Sequence, residues 1–321
     1  MTTKLHQLLD EVARFDVEFH GGLSNHLPMA LGALAALGAS DSHLERYFEG
    51  YAPKLDAAPP AQAWPVGDAW AGRFGDRTAW PAYRDLFAQW LGHEDRASVL
   101  AQVLPQLMPG CGAAAFHGLI RTAYAVNAQH DGELADALAY WSRAFMRMPA
   151  VPVRARTTPD LAKLMAALPQ VSGEAPLISA RMRAAAVTRG MPAVVARLRI
   201  DDASLQALAR HAAALYAASG DFTVLHLVTS AHAVRELLPF VDEPLPALRH
   251  YWQAYAAGWA ASGAQRGTAA APMPWAELDD AALASEDEHL IKLVHSCREH
   301  ERVYGGDEWQ LAAARAVRDA A

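Results

Sequence analysis

The chain is 321 residues long and 52% hydrophobic, enough for a sizeable core and too much for a disordered polymer. Its formal net charge of −7 argues against nucleic acid or an anionic membrane surface as a partner. Two cysteines, Cys111 and Cys297, make no disulfide framework. The first residues hold no apolar signal core, and no apolar run reaches membrane-spanning length, so the expectation is a cytoplasmic protein without membrane association.

In chain order, Leu5, Leu8, Leu9, Val12 and Phe15 recur at helical spacing and predict an opening amphipathic helix, which His20-Gly21-Gly22 breaks. Ser24 or Asn25 can cap a second helix over 26–37, with Pro28 in its first turn and Gly38 ending it. Ser42 and Glu45 suit a capping box for a third helix through Tyr51. Residues 52–77, rich in Pro and Gly, form the longest irregular stretch, and Trp64 and Trp70 point to a packed loop there. Helical patterns resume at 79–91, 95–107, 113–128 and 131–147. After a proline-rich crossing, Thr158-Pro159 opens a helix to Leu168 as cap and first helical residue. Further helices fit 178–189, 191–198, 203–218, 222–238, 244–262 and 307–320. Residues 193–200 are the one strand candidate, and without turn chemistry they read as helical or irregular. The fold expected is all-α, a single large domain of packed helix pairs over 1–321 with little or no sheet.

The stretch Glu286 to His300 organises the rest. Leu290, Ile291, Leu293, Val294 and Cys297 give it an apolar face, and three carboxylates suit its N-terminus. His289 and Lys292, three apart, share one edge of that helix. Burying an imidazole beside an ammonium needs a compensating partner, and a metal is one. An ammonium cannot ligate a metal, but a lysine whose pKa is depressed by burial can add carbon dioxide and become an anionic carbamate, an oxygen ligand. The plainer alternative is that Lys292 reaches the surface or pairs with Glu288.

Fourteen histidines need sorting. Four segments carry a histidine followed by apolar positions, around His26, His117, His232 and His289, and hint at four helices each pointing one imidazole at a shared centre. His117 shares a polar stripe with Arg121 and Tyr124. His226 and His232 are six apart, so on one helix they point about 120° apart and cannot easily serve one centre. His232 has Thr229, Arg235 and Glu236 on its side, whereas His226 lies among Leu225, Leu227 and Val228. A lone buried histidine satisfied by one carbonyl is commonplace, but four on separate helices suit Fe, Zn, Cu or Ni.

Asn25-His26-Leu27 with Leu37-Gly38-Ala39, His117-Gly118-Leu119-Ile120-Arg121, Leu225 to Ala233, and Asp287 to Leu293 together resemble the questin oxidase-like family, in the family's order and from about residue 19 to 300. Fungal members act on anthraquinones and related polyketides, opening a ring in a dioxygenase-like or Baeyer–Villiger-like reaction. The resemblance implies a mostly helical fold and a mononuclear non-haem iron, Fe(II), held by His26, His117, His232 and His289 with carboxylated Lys292. His226 is the substitute for His232.

The expected function is an iron-dependent oxygenase that takes dioxygen and a small aromatic substrate, with Arg121 or Arg235 stabilising a phenolate or oxyanion and Tyr124 passing a proton. NADPH is the alternative reductant, in a Baeyer–Villiger-type reaction. Gly110-Cys111-Gly112-Ala113-Ala114-Ala115 is the one glycine pattern resembling a dinucleotide loop, and it lacks a βαβ unit, so it reads as a helix start that positions His117. A metal-dependent hydrolase and a non-catalytic helical binding protein are the rival readings.

Overall fold

The computed structural model describes residues 3–60, 67–152, 156–171, 175–265, 267 and 271–320, so Trp64 lies outside the described residues. Among them are sixteen α-helices and one two-stranded sheet. In order they are α1 (Thr3–Val12), β1 (Glu18–Phe19), β2 (Leu23–Ser24), α2 (Leu27–Ala36), α3 (Asp41–Tyr51), α4 (Trp80–His93), α5 (Arg96–Leu107), α6 (His117–Ala128), α7 (Asp131–Ala144) and α8 (Leu161–Ala167). There follow α9 (Ile178–Ala186), α10 (Met191–Val195), α11 (Ser204–Ser219), α12 (Phe222–Leu237), α13 (Pro244–Ala261), α14 (Trp275–Ala284), α15 (Glu288–Tyr304) and α16 (Glu308–Ala320). No helix among the described residues is long and apolar enough to cross a membrane.

Short polar side chains start several of these helices by accepting hydrogen bonds from first-turn amides. Asp95 takes the Ser98 amide, Asp221 those of Thr223 and Val224, and Asp287 that of His289. Two caps differ from the sequence expectation. Ser40, not Ser42, caps α3 by accepting from the His43 amide, and Asp160, not Thr158, caps α8. Ser42 lies inside α3, and Thr158 accepts from the Asp160 amide, ahead of the helix that starts at Leu161. The 193–200 segment is α10 followed by a single bridge of Leu198 to Thr158. Helix α14 has no counterpart in the sequence reading: it buries only Leu278 and Ala282, too thin a stripe to stand out. The glycine break at 20–22 is the turn of the β1–β2 hairpin, with Gly21 and Gly22 at φ +82° and +124°.

Four helices form the inner layer. α2 packs on α6 and α15, and α12 packs on the same two, which closes a ring. α7 backs α6 and carries α4 outside it, α11 and α16 back α12 and α15, and α13 lies against α12 with α9 outside. Trp70 packs edge-on among Phe74, Phe87 and Trp90, as a packed loop requires.

The contact between α6 and α7 is tight because Gly118 has no side chain. A Cβ there would lie 2.8 Å from the Trp141 Cα, which is backbone and cannot swing aside. Gly118→Ala is therefore expected to cost about 1–3 kcal/mol through forced separation of the two helices. Denaturant unfolding measures it; an unchanged midpoint would mean that α7 yields without cost.

Candidate metal centre and pocket

The N-terminal ends of the four inner helices, within their first two turns, meet at one point. His26 is the N-cap of α2, His117 the first residue of α6, His226 lies in the second turn of α12, and His289 is the second residue of α15. The His26 and His117 rings stack at 4.5 Å, and His289 meets His26 edge-on at 4.6 Å. His226 stands edge-on to His117 at 5.0 Å and tilted to His289 at 5.6 Å. One donor atom each from His26, His117 and His289 lies within 4.8 Å of the others. Donors about 2.0–2.1 Å from a common ion are at most about 4.2 Å apart, so small side-chain adjustments close this set on a metal.

Backbone carbonyls orient two of the rings. His117 Nδ1–H donates to the Ala114 carbonyl at 2.5 Å, and His226 Nδ1–H donates to the Phe222 carbonyl at 2.8 Å. A carbonyl only accepts, so each proton sits on Nδ1 and each Nε2 keeps its lone pair. His117 Nε2 is buried and has no hydrogen-bond partner among the described residues. The carbonyl that aims His117 comes from an unusual turn. Ala114, Ala115 and Phe116 all have left-handed backbone, φ 47°, 55° and 70°, at roughly 1–2 kcal/mol each. α6 accordingly begins at His117, later than the apolar pattern from 113 indicates. The glycines before it are packed shut, Gly110 against Phe145 and Gly112 against Met148, leaving no open backbone cradle for a pyrophosphate.

Lys292, one turn along α15 from His289, is 2% exposed, and its Nζ lies 3.3 Å from His26 Nδ1. Glu288 Oε1 is also 3.3 Å from that nitrogen. Burial pushes the Lys292 pKa down to about 8 against the opposing pull of Glu288 and Asp287. Burial, then Lys292 and the neighbouring imidazoles, holds His26 far below the usual histidine range; for His117 the order is burial, His226, then Lys292. His226 is pushed down to about 3 by burial, then by His289 and Lys292. With residues further along α6, α12 and α15 meeting in a second tier, the inner helices run in one direction, and four N-termini bring their partial positive charges to the centre. That field disfavours an ammonium and favours neutral imidazoles and anions. The residues fit a transition-metal ion, with imidazole donors, a neighbouring carboxylate and a lysine whose ammonium form is disfavoured.

A pocket of about 230 Å³ opens from this centre. Phe19 and Leu23 of the hairpin, Leu177 and Ile178 at the start of α9, Met146 and Phe222 give it apolar walls. Leu23 and Phe222, 47% and 52% exposed, present apolar surface at the pocket. Glu18, Arg77, Arg183, Glu288 and the histidines supply its polar points.

The remaining candidates from the sequence lie elsewhere. His232 is in the second tier, its ring 5.2 Å from His295 and 5.9 Å from His300, and its Nδ1 accepts from Arg235 at 3.0 Å. Of the two histidines on α12 the structure thus brings His226, not His232, to the convergence. Arg235 also donates to the Glu299 carbonyl at 2.8 Å. Tyr124 pairs with His295 Nδ1 at 2.9 Å. Arg121 makes a buried bidentate pair with Glu133, at 2.5 and 2.8 Å, that ties α6 to α7. None of these lines the pocket. Their polarity marks internal pairing on the far side of the same helices, which side-chain type alone does not distinguish from a site. Conversely, Glu288 and Phe222 are absent from the sequence-based site candidates. Each stands one helical turn before a site residue, Lys292 and His226, which is the signal that could have found them.

A family model described as questin oxidase-like matches residues 23–297, spanning all five converging residues. No curated protein matches the chain.

Proposed function

The chain belongs to the questin oxidase-like family, an oxidoreductase assignment, and from that premise we propose a non-haem iron-dependent oxygenase that opens a ring of an anthraquinone-type aromatic. The observation that carries this reading is the convergence of four helix starts, bearing His26, His117, His226 and His289, on one point beside buried Lys292, at the inner end of an apolar pocket. His26, His117 and His289 would hold the metal, with His226 and a carboxylated Lys292 completing the set. Iron bound there would supply the redox chemistry that lets dioxygen react with an aromatic carbon.

The chain's own residues do the rest. Phe222 and Phe19 offer ring faces, and Leu177, Ile178 and Met146 keep water from a flat substrate between them. The carbonyls of Ala114 and Phe222 hold two imidazoles in fixed orientation and tautomer. Glu288, on the pocket wall, can take a phenolic proton at Oε1, next to His26 Nδ1. Arg121, Tyr124 and Arg235 hold the helices that present the site.

The test is metal content by mass spectrometry of protein purified without added metal, and oxygen uptake with a hydroxyanthraquinone. The expected result is close to one iron per chain and substrate-dependent oxygen consumption, with NADPH dependence separating the monooxygenase from the dioxygenase form. Zinc with ester hydrolysis and no oxygen uptake would replace the proposal with a hydrolase. Absence of metal would leave a helical binding protein.

A further inference from the structure

We infer that the pocket selects an aromatic substrate carrying a carboxylate, gripped by Arg183 at the mouth; this deepens the substrate reading above and rests on it. The charges that face the pocket are unevenly partnered. Glu18 on β1 is 6% exposed and paired with both Arg77 and Arg143, and Arg143 also holds Asp16 at 3.0 Å, so two carboxylates and two guanidinium groups cancel. Glu288 at the inner end faces the imidazoles of His26 and His289, its Oε1 3.3 and 3.6 Å from their Nδ1 atoms, and leaves the carboxylate charge on the inner wall. Arg183, on α9, lines the pocket, is exposed, and pairs with no carboxylate among the described residues. Among the described residues, the mouth therefore carries one guanidinium without a carboxylate partner, beside apolar walls.

Polarity also fixes the orientation. An acid group pointing inward would meet Glu288, whereas one pointing outward meets Arg183, whose planar fork matches a carboxylate. The aromatic body then lies between Phe19 and Phe222 with its reactive ring toward the histidines.

The probes are anthraquinone-2-carboxylate and its neutral isostere anthraquinone-2-carboxamide, with affinities read from quenching of tryptophan fluorescence at fixed ionic strength. The native protein is expected to bind the carboxylate about tenfold more tightly, between the worth of an exposed ion pair and that of a shielded charged hydrogen bond. Arg183→Gln should abolish the preference, bringing the carboxylate down to the affinity of the carboxamide. Arg189→Gln, an exposed control that does not line the pocket, should leave it intact. Equal affinities in the native protein, or a preference that survives Arg183→Gln, would overturn the inference alone. If neither probe binds, the aromatic-substrate reading falls and the inference falls with it.

Discussion

His117→Ala is expected to empty the protein of metal, while His232→Ala leaves it loaded but less stable. The two imidazoles are both buried and both belong to the inner helices, so a general sensitivity to histidine loss predicts no difference. Their surroundings differ. His117 Nε2 has no partner among the described residues and stands in the group whose donors lie within 4.8 Å of each other. His232 Nδ1 is already occupied by Arg235. Loss of even a group that only supports a metal ligand lowers affinity about 10–100-fold, so loss of the ligand itself should exceed that and take oxygen uptake to background. His232→Ala instead removes an acceptor from the half-buried Arg235 guanidinium and leaves a gap in the second tier, worth about 1–3 kcal/mol of stability. Metal per chain and a denaturant curve on the same preparations separate the outcomes. Full metal occupancy in folded His117→Ala would end the assignment of this cluster as the centre. So would metal loss from a folded His232→Ala, which would shift the centre to the second tier.

The second large effect concerns Lys292. Its pKa is pushed down to about 8 from 10.5, and each tenfold change in a proton-binding constant is worth about 1.4 kcal/mol, so the buried ammonium disfavours the folded state by roughly 3 kcal/mol at pH 7. The sign follows from proton uptake. Between pH 8 and 10.5 the unfolded chain binds the proton and the folded one does not, so metal-free protein gains stability as pH rises through that window, and the penalty is complete below it. Lys292→Met should make the metal-free protein more stable at neutral pH and remove this pH dependence. In exchange it should lose metal binding, because no carbamate can form. In the native protein with bicarbonate, metal uptake should rise steeply from pH 7, where about a tenth of the amine is neutral, to pH 9, where about nine tenths is. Carbon-13 bicarbonate with a zinc-substituted sample should give one bound carbamate signal that Lys292→Met lacks. Undiminished metal affinity in Lys292→Met, with no bound label in the native protein, would remove the modified lysine from the centre.

The difference between Lys292 and His232 also marks where sequence reasoning reaches its limit. Lys292 is identifiable because the helix around it is strongly amphipathic, and a charged residue on the edge of the apolar face, three from a histidine, is a local anomaly. On α12 no such asymmetry exists, since Thr223 to Val234 are buried on every side. There the polar neighbours of His232 resemble a site and the apolar neighbours of His226 resemble core. In the folded chain the polar neighbours satisfy one another, and His226 reaches the pocket from among the apolar ones.

By itself, the sequence determined the helical class, the order of nearly all the helices, and the placement of His26 and His289 at helix starts, because apolar periodicity, polar first-turn residues and glycine breaks are all encoded within a few residues of where they act. It also determined that His226 and His232 diverge, since the helical repeat sets the angle between two residues. Which of them faces the centre was decided only by tertiary structure, because the rotation of α12 about its own axis depends on how α6, α13 and α15 pack against it. The same holds for the pocket, whose hairpin, α9 edge and four helix starts come from segments far apart in the chain and acquire a common purpose only when the inner helices close into a ring.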